Sequence, residues 1–212
     1  MRRLRRAPVA LSFVLVAALF VPLALSAGTD SIASRYRAPS ACGTERWGVK
    51  TLTDPAAGSV DYAHVANSSV TALGQVHSST QTPARRPEEK RVYRIRVRLD
   101  SLPGRKLGFK IESNDSDIHL AVRDAAGATM IVEFPDFNCT QGAQRRLAMK
   151  QTRAALVSAC GQPPRGKFHE LHGSATITGV FFFDFPHGQR GHARNYAELH
   201  PALSFKGVCS AS

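Results

Sequence analysis

The chain has 212 residues, long enough for one domain of ordinary size once its N-terminus is set aside, and a formal charge of +12. Beyond that N-terminus no segment is apolar for long enough to cross a bilayer. The four cysteines lie too far apart in sequence for a zinc-site pattern, and the chain carries no nucleophile elbow, phosphate-binding loop, dinucleotide fingerprint or HExxH helix.

Residues 1–27 read as a secretory signal peptide. Arg2, Arg3, Arg5 and Arg6 form its charged start, an apolar run follows from Ala7 to Leu25, and Ala24, Ser26 and Ala27 offer a cleavage site. An uncleaved anchor is the rival reading; Pro22 and the small residues after it favour cleavage and export to a periplasmic or extracellular space. Cleavage removes four arginines and no acid, so the mature chain carries +8 and no membrane span. That charge suits an acidic ligand or surface, such as nucleic acid, anionic headgroups or a wall polymer, and equally suits simple solubility.

Cys42, Cys139, Cys160 and Cys209 all fall in the exported part, and an even count there implies two disulfides. A helix over residues 143–159 holds its ends roughly 25 Å apart. A disulfide needs Cα atoms within about 7 Å, so Cys139–Cys160 is disfavoured. Cys42–Cys139 with Cys160–Cys209, and Cys42–Cys160 with Cys139–Cys209, both remain.

Residues 28–41 show no periodicity and read as a flexible leader. Residues 42–90 read as a disulfide-tethered extension and linker, in which Cys42 to Asp54 is expected to be extended around the only tryptophan, Trp47. Ser68 or Ser69 can cap a short helix carrying Val70, Leu73 and Val76. Residues 91–209 are the expected main domain. Tyr93, Ile95, Val97 and Leu99 alternate with Arg94, Arg96 and Arg98, the period of a half-buried strand. Ile118, Leu120 and Val122, then Met130, Val132 and Phe134, give two more strands. Ala143 to Ala159 predicts the helix, with Leu147, Ala148, Ala155, Leu156 and Ala159 on its apolar side. Ser174 to about Phe185 gives a fourth strand, and Tyr196 to Phe205 a fifth with Leu199, Leu203 and Phe205 inward. Three strands, a helix and two strands make a mainly β protein with one helix, the element order of an OB-fold, a five-stranded Greek-key barrel. An α+β sandwich is the alternative.

Four motifs carry a resemblance: Cys42-Gly43-Thr44-Glu45-Arg46-Trp47, Asp115-Ser116-Asp117-Ile118-His119-Leu120, Thr129 to Asp136 (TMIVEFPD), and the stretch from Ile177 to Pro201. Together they resemble an uncharacterised family of bacterial exported proteins, over roughly Cys42 to Phe205. The family commonly reads PDP where this chain has Pro135-Asp136-Phe137, and Gly where it has Phe181. Its loop commonly reads HGQTGVAPN against His187 to Asn195 here. Smaller members keep cysteines corresponding to Cys42 and Cys139 alone, which implies Cys42–Cys139 and Cys160–Cys209. The resemblance implies no activity and no catalytic residue.

Two groups of residues are candidates for chemistry. Asp117 and His119 share one face of a strand, as do Glu198 and His200, and Glu133 comes from the strand between in OB topology. All are out of phase with the apolar positions and are expected on the outer sheet surface. Carboxylates and imidazoles on adjacent strands can hold a divalent metal or poise a water; they can also be ordinary surface charge paired with Arg94, Arg96 and Arg98. The loop residues Asp184, His187, Gln189, His192 and Asn195 form the second group. Arg145, Arg146 and Arg153 read as a solvated helix face.

Two functions follow. The first is an exported, disulfide-stabilised OB-like binding or interaction module of unknown ligand, for which no cofactor is certain and a divalent metal is the candidate. The alternative is a metal-dependent hydrolase, such as a phosphodiesterase. Single-stranded nucleic acid is not favoured as a partner, because the outer face offers arginines and acids in place of stacking aromatics.

Overall fold

The computed structural model describes residues 42–78, 82–103, 106–186 and 188–211. The signal-like segment, the 28–41 leader and the candidate His187 lie outside the described residues. In chain order the elements are α1 (Trp47–Thr51), β1 (Asp61–Ser68), α2 (Val70–Leu73), β2 (Arg91–Arg98), β3 (Gly108–Ile111), β4 (Ile118–Arg123), β5 (Thr129–Phe134), α3 (Arg146–Cys160), β6 (Leu171–Phe183) and β7 (Ala197–Ala211). The protein is mainly β. Among the described residues seven strands form one mixed sheet in the order β1-β2-β6-β7-β5-β4-β3, with β1–β2 and β5–β7 parallel. A bridge between Arg98 and Arg123 also joins β2 to β4, so the pairings of β2, β6, β7, β5 and β4 close a ring of five strands.

The alternating residues fill the inside of that ring. Ile95 and Leu99, Leu120 and Val122, Met130 and Phe134 are fully buried in one cluster with Ile177, Phe181 and Leu199. At about 25 cal/mol per Å² this burial is the main stabilising term. A second, smaller cluster lies on the outer side of the strands, where Leu52, Ala57 and Val60 of the N-terminal segment and Met149 of α3 gather with Val92 and Val180. Leu203, expected inward, packs on this second cluster. The β6–β7 register shifts between Thr178 and Gly179, and that irregularity puts Ala202 into the main core.

Three further expectations are corrected. Residues 47–51 are a short helix rather than an extended segment, set off by Arg46 and Leu52 in left-handed conformations (φ 46° and 59°). The buried side of α3 carries Met149, Thr152, Leu156 and Cys160, while Leu147 is 64% exposed. Two of the three arginines are part-buried rather than a solvated face: Arg153 donates to the carbonyls of Phe134 and Ser116, and Arg146 lies over the Phe137 ring, while Arg145 lies over Tyr62 and stays exposed. Ser69 does cap α2, its hydroxyl accepting from the Ala72 amide.

Disulfides join Cys42 to Cys139 and Cys160 to Cys209. The first ties the N-terminal segment to the end of β5, and the second pins the C-terminus of α3 to β7. Two such bonds suit an oxidising, non-cytoplasmic compartment. No helix among the described residues is long and apolar enough to cross a membrane.

Candidate functional site

Strand register brings the first candidate group together. Lys110, His119 and Glu133 are direct partners across β3, β4 and β5. Parallel pairing of Ile131 with Glu198 and Val132 with Leu199 sets His200 beside Glu133, and Glu198 pairs with Phe182 on β6. Asp117 enters from the turn before β4. That turn is tight: Ser116 has φ 67°, and the Glu112 amide donates to the Asp117 carbonyl. It turns Asp115 and Glu112 toward the same place.

These positions do point away from the core, but they are not a surface. Asp117, His119, Glu133, Glu198 and His200 are only 0–5% exposed. The segment carrying α1 covers them, a role that one chain's apolar periodicity does not reveal. Cys42 anchors one end of that cover. Arg46 anchors the middle, forking onto both oxygens of the buried Glu89 at 2.8 and 2.6 Å and donating to the carbonyls of Ala84 and Phe183. Arg85 donates to Asp54 and to the Val49 carbonyl. Gly43 is needed at the rim, because a Cβ there would meet the Trp47 ring at 2.4 Å.

Under the cover lies a cavity of about 290 Å³, lined by Glu112, Asp115, Glu133, Asp184, Glu198 and His200, with Lys50, Lys110 and Trp47 among its other walls. His119 Nδ1 is 2.8 Å from Glu133 Oε1 and 3.1 Å from Glu112 Oε1. His200 lies between two acids, with Nε2 3.3 Å from Asp117 Oδ2 and Nδ1 3.6 Å from Glu198 Oε2. Close as they are, these groups are misdirected. Both ring nitrogens of His119 and of His200, Asp117 Oδ2 and Glu133 Oε2 are buried without a hydrogen bond. Leaving such groups unsatisfied costs roughly 1–3 kcal/mol each. A ligand that accepts lone pairs removes that cost, and the one ligand atom each from Glu112, His119 and Glu133 all fall within 4.8 Å of one another.

The electrostatics agree. Burial raises the carboxyls of Asp117 and Glu198 to about 7. Burial also pushes Glu133 up, against the pull of His119. Burial works against a charge on His119, but Glu133 and Glu112 outweigh it and raise its pKa. Burial lowers His200, with Lys50 adding to the effect. Glu112, nearer the solvent, is held down at about 2 against its own desolvation by His119 and Lys110. Lys50 is raised in spite of burial by Asp184, 3.3 Å away, and by Glu198 and Glu133.

The loop candidates divide. Asp184 and Gln189 line the cavity. His192 does not; it stacks on Tyr196 at 4.5 Å, outside the cavity. Asn195 is a fold residue, its amide donating to the carbonyls of Leu73 and Val76 and so tying α2 to the loop. Arg94 and Arg96 are not among the partners of the buried acids, and Arg98 pairs with Asp100. Sequence reasoning missed Lys50, Glu112 and Asp115. Asp115 stood inside a motif already singled out, whereas Lys50 and Glu112 gave no local signal. Comparison of the chain with protein-family models, with curated proteins and with solved structures finds no match.

Proposed function

We propose that this chain is an exported, disulfide-stabilised binding module of OB-like topology whose ligand is a divalent cation held by Glu112, His119 and Glu133. On this reading the signal-like segment directs export and is cleaved near Ala27, and the chain groups with the bacterial exported proteins that its motifs resemble. The ring order β2-β6-β7-β5-β4, with β5 and β7 parallel and α3 between β5 and β6, supports OB-like topology. The cavity then falls where OB-folds commonly bind, on the second and third barrel strands beside the loop joining the last two.

The observation that carries the reading is His119: a buried imidazole with both nitrogens orphaned, facing two carboxylate oxygens at 2.8 and 3.1 Å. An imidazole with two carboxylates favours zinc or manganese over calcium and magnesium, which prefer all-oxygen sites. Lys110 Nζ lies 2.8 Å from Glu112 Oε1, so a cation at this place would replace its ammonium group as the partner of that carboxylate. Titration calorimetry with zinc, manganese, calcium and magnesium tests this. Zinc or manganese binds the wild type, and His119→Ala loses most of the affinity. Flat titrations for all four ions end the reading.

A metal-dependent hydrolase is the second reading, favoured by His200 set between Asp117 and Glu198 on the wall of the same cavity, an arrangement that can take a proton from water. The lining argues against a phosphodiester substrate. It holds the carboxyl groups of Glu45, Glu112, Asp115, Glu133, Asp184 and Glu198 against only Lys50 and Lys110. One divalent cation leaves that lining unwelcoming to an anion, so a neutral or cationic substrate fits better.

A further inference from the structure

The outer sheet face has a second half that α1 does not cover. There β2 presents Arg94, Arg96 and Arg98, all exposed. Arg94 lies beside Asn67 of β1 and Thr178 of β6; Arg96 lies beside Thr176, which in turn pairs with Lys206 of β7. Two adjoining troughs of about 820 and 600 Å³ share Arg96, Ala125 and Thr176 as a common wall, and Lys206 closes the second. Thr176 is six residues along β6 from Phe182, roughly 20 Å, so this surface is separate from the acidic cavity.

The cations here are free to act on a partner. Arg98 is neutralised by Asp100. Arg94, Arg96 and Lys206 have no ion pair among the described residues. Asp124, the acid in the trough, is already committed: its carboxylate accepts from the amide and hydroxyl of Thr71 and from the amides of Ala126 and Ala128. Successive outward arginines on a strand stand about 6.8 Å apart, comparable to neighbouring phosphates on an extended phosphodiester chain. Guanidinium forks match phosphate oxygens bidentately, and Thr176 and Asn67 add neutral donors beside them. Among the described residues no aromatic side chain lines either trough, so bases have nothing to stack on.

We propose that this face binds an extended, base-free phosphodiester polymer, of the polyol-phosphate type, with Arg94, Arg96 and Lys206 each taking one phosphate. The positive balance of the chain favours the same partner. The proposal is independent of the metal centre.

Fluorescence anisotropy with a labelled glycerol-phosphate oligomer tests it, alongside an oligo-dT of equal phosphate number. Three contacts at about 0.7 released counterions each predict a slope of about −2 in log K against log salt. Arg94→Ala with Arg96→Ala should weaken binding tenfold or more and leave the melting temperature unchanged, since both side chains are exposed. Lys206→Ala alone should reduce the slope by about 0.7. Absence of binding at low salt, or unchanged binding by the double variant, overturns the proposal. Tighter binding of oligo-dT than of the base-free oligomer overturns it too, in favour of nucleic acid.

Discussion

Two buried networks of charge lie a few residues apart in this protein, and they are built on opposite principles. In the Glu89–Arg46 pair every polar atom has an aligned partner: the two Glu89 oxygens accept from both Arg46 terminal nitrogens and from the amides of Arg86 and Phe183, and Arg46 Nε donates to the Pro83 carbonyl. Around His119 and His200, groups at similar distances leave ring nitrogens and carboxylate oxygens without hydrogen bonds. A buried charge is tolerated in a fold when its lone pairs and protons are all satisfied. The first network meets that condition from the chain alone and serves to hold the cover in place. The second does not, and it is this difference, rather than the presence of acids and imidazoles, that separates a strut from a binding centre.

The largest test of the contrast is Glu89→Ala. It leaves the Arg46 guanidinium buried beside the carbonyls of Ala84 and Phe183 with its counter-charge gone. Breaking one side of a buried pair costs about 3–5 kcal/mol. Urea denaturation should show a loss of that size with or without metal. A loss below about 1 kcal/mol would mean that the cover is held by its disulfide and its apolar contacts, and the strut reading would fail.

How far the sequence foretold this depends on the period of each signal. Strand alternation found the inward residues from Ile95 to Phe134 because each fills one side of a regular ladder, and it found the mainly β class with them. The same alternation put His119, Glu133 and His200 together on the other side. It could not show that this side was buried, because the covering residues 43–54 form a short helix of no amphipathic period, held through Arg46, Arg85 and Cys42 by partners 31 to 137 positions away. β1 and β3 escaped notice for related reasons. β1 alternates poorly, with an exposed or half-exposed face throughout, and β3 is only four residues long. Glu112 and Lys50 become site residues only through the turn at Ser116 and the helix at Trp47, both of which pass through left-handed backbone.

A pH titration of stability separates the two networks further. Asp117, Glu133 and Glu198 are raised above their ordinary range by burial, so the folded protein holds protons that the unfolded chain releases between about pH 4 and pH 7. Their contribution to stability is therefore largest in acid and falls as pH rises through that window. His119, raised by its acids, adds to the same trend, its stabilisation present at low pH and lost as pH rises through its folded value. His200, lowered by burial, opposes it below about pH 6.5. Three carboxyls outweigh one imidazole, so the metal-free protein should melt higher at pH 5 than at pH 8. Zinc or manganese should reverse the order, because its ligands must be deprotonated. Glu133→Gln should flatten the metal-free profile and abolish the reversal. Thermal melts at both pH values, with and without metal, read all of this. A metal-free protein that is more stable at pH 8 would contradict the burial argument.

The smallest expected effect distinguishes a wall of the cavity from a ligand. Gln189 reaches the cavity from the β6–β7 loop, but it is not one of the proposed ligands Glu112, His119 and Glu133. It is half-buried and carries no charge, so Gln189→Ala should change stability by less than about 0.5 kcal/mol. Its effect on metal affinity should stay within about threefold, since a neutral amide outside the ligand set contributes little to the binding free energy. Calorimetry on this variant beside His119→Ala makes the comparison directly. If Gln189→Ala costs as much affinity as His119→Ala, the loop supplies a ligand, and the centre must be redrawn to span β4, β5 and the loop. If it costs nothing while His119→Ala costs most of the affinity, the orphaned atoms on the strands are what the cation seeks, and the loop only bounds the space in which it sits.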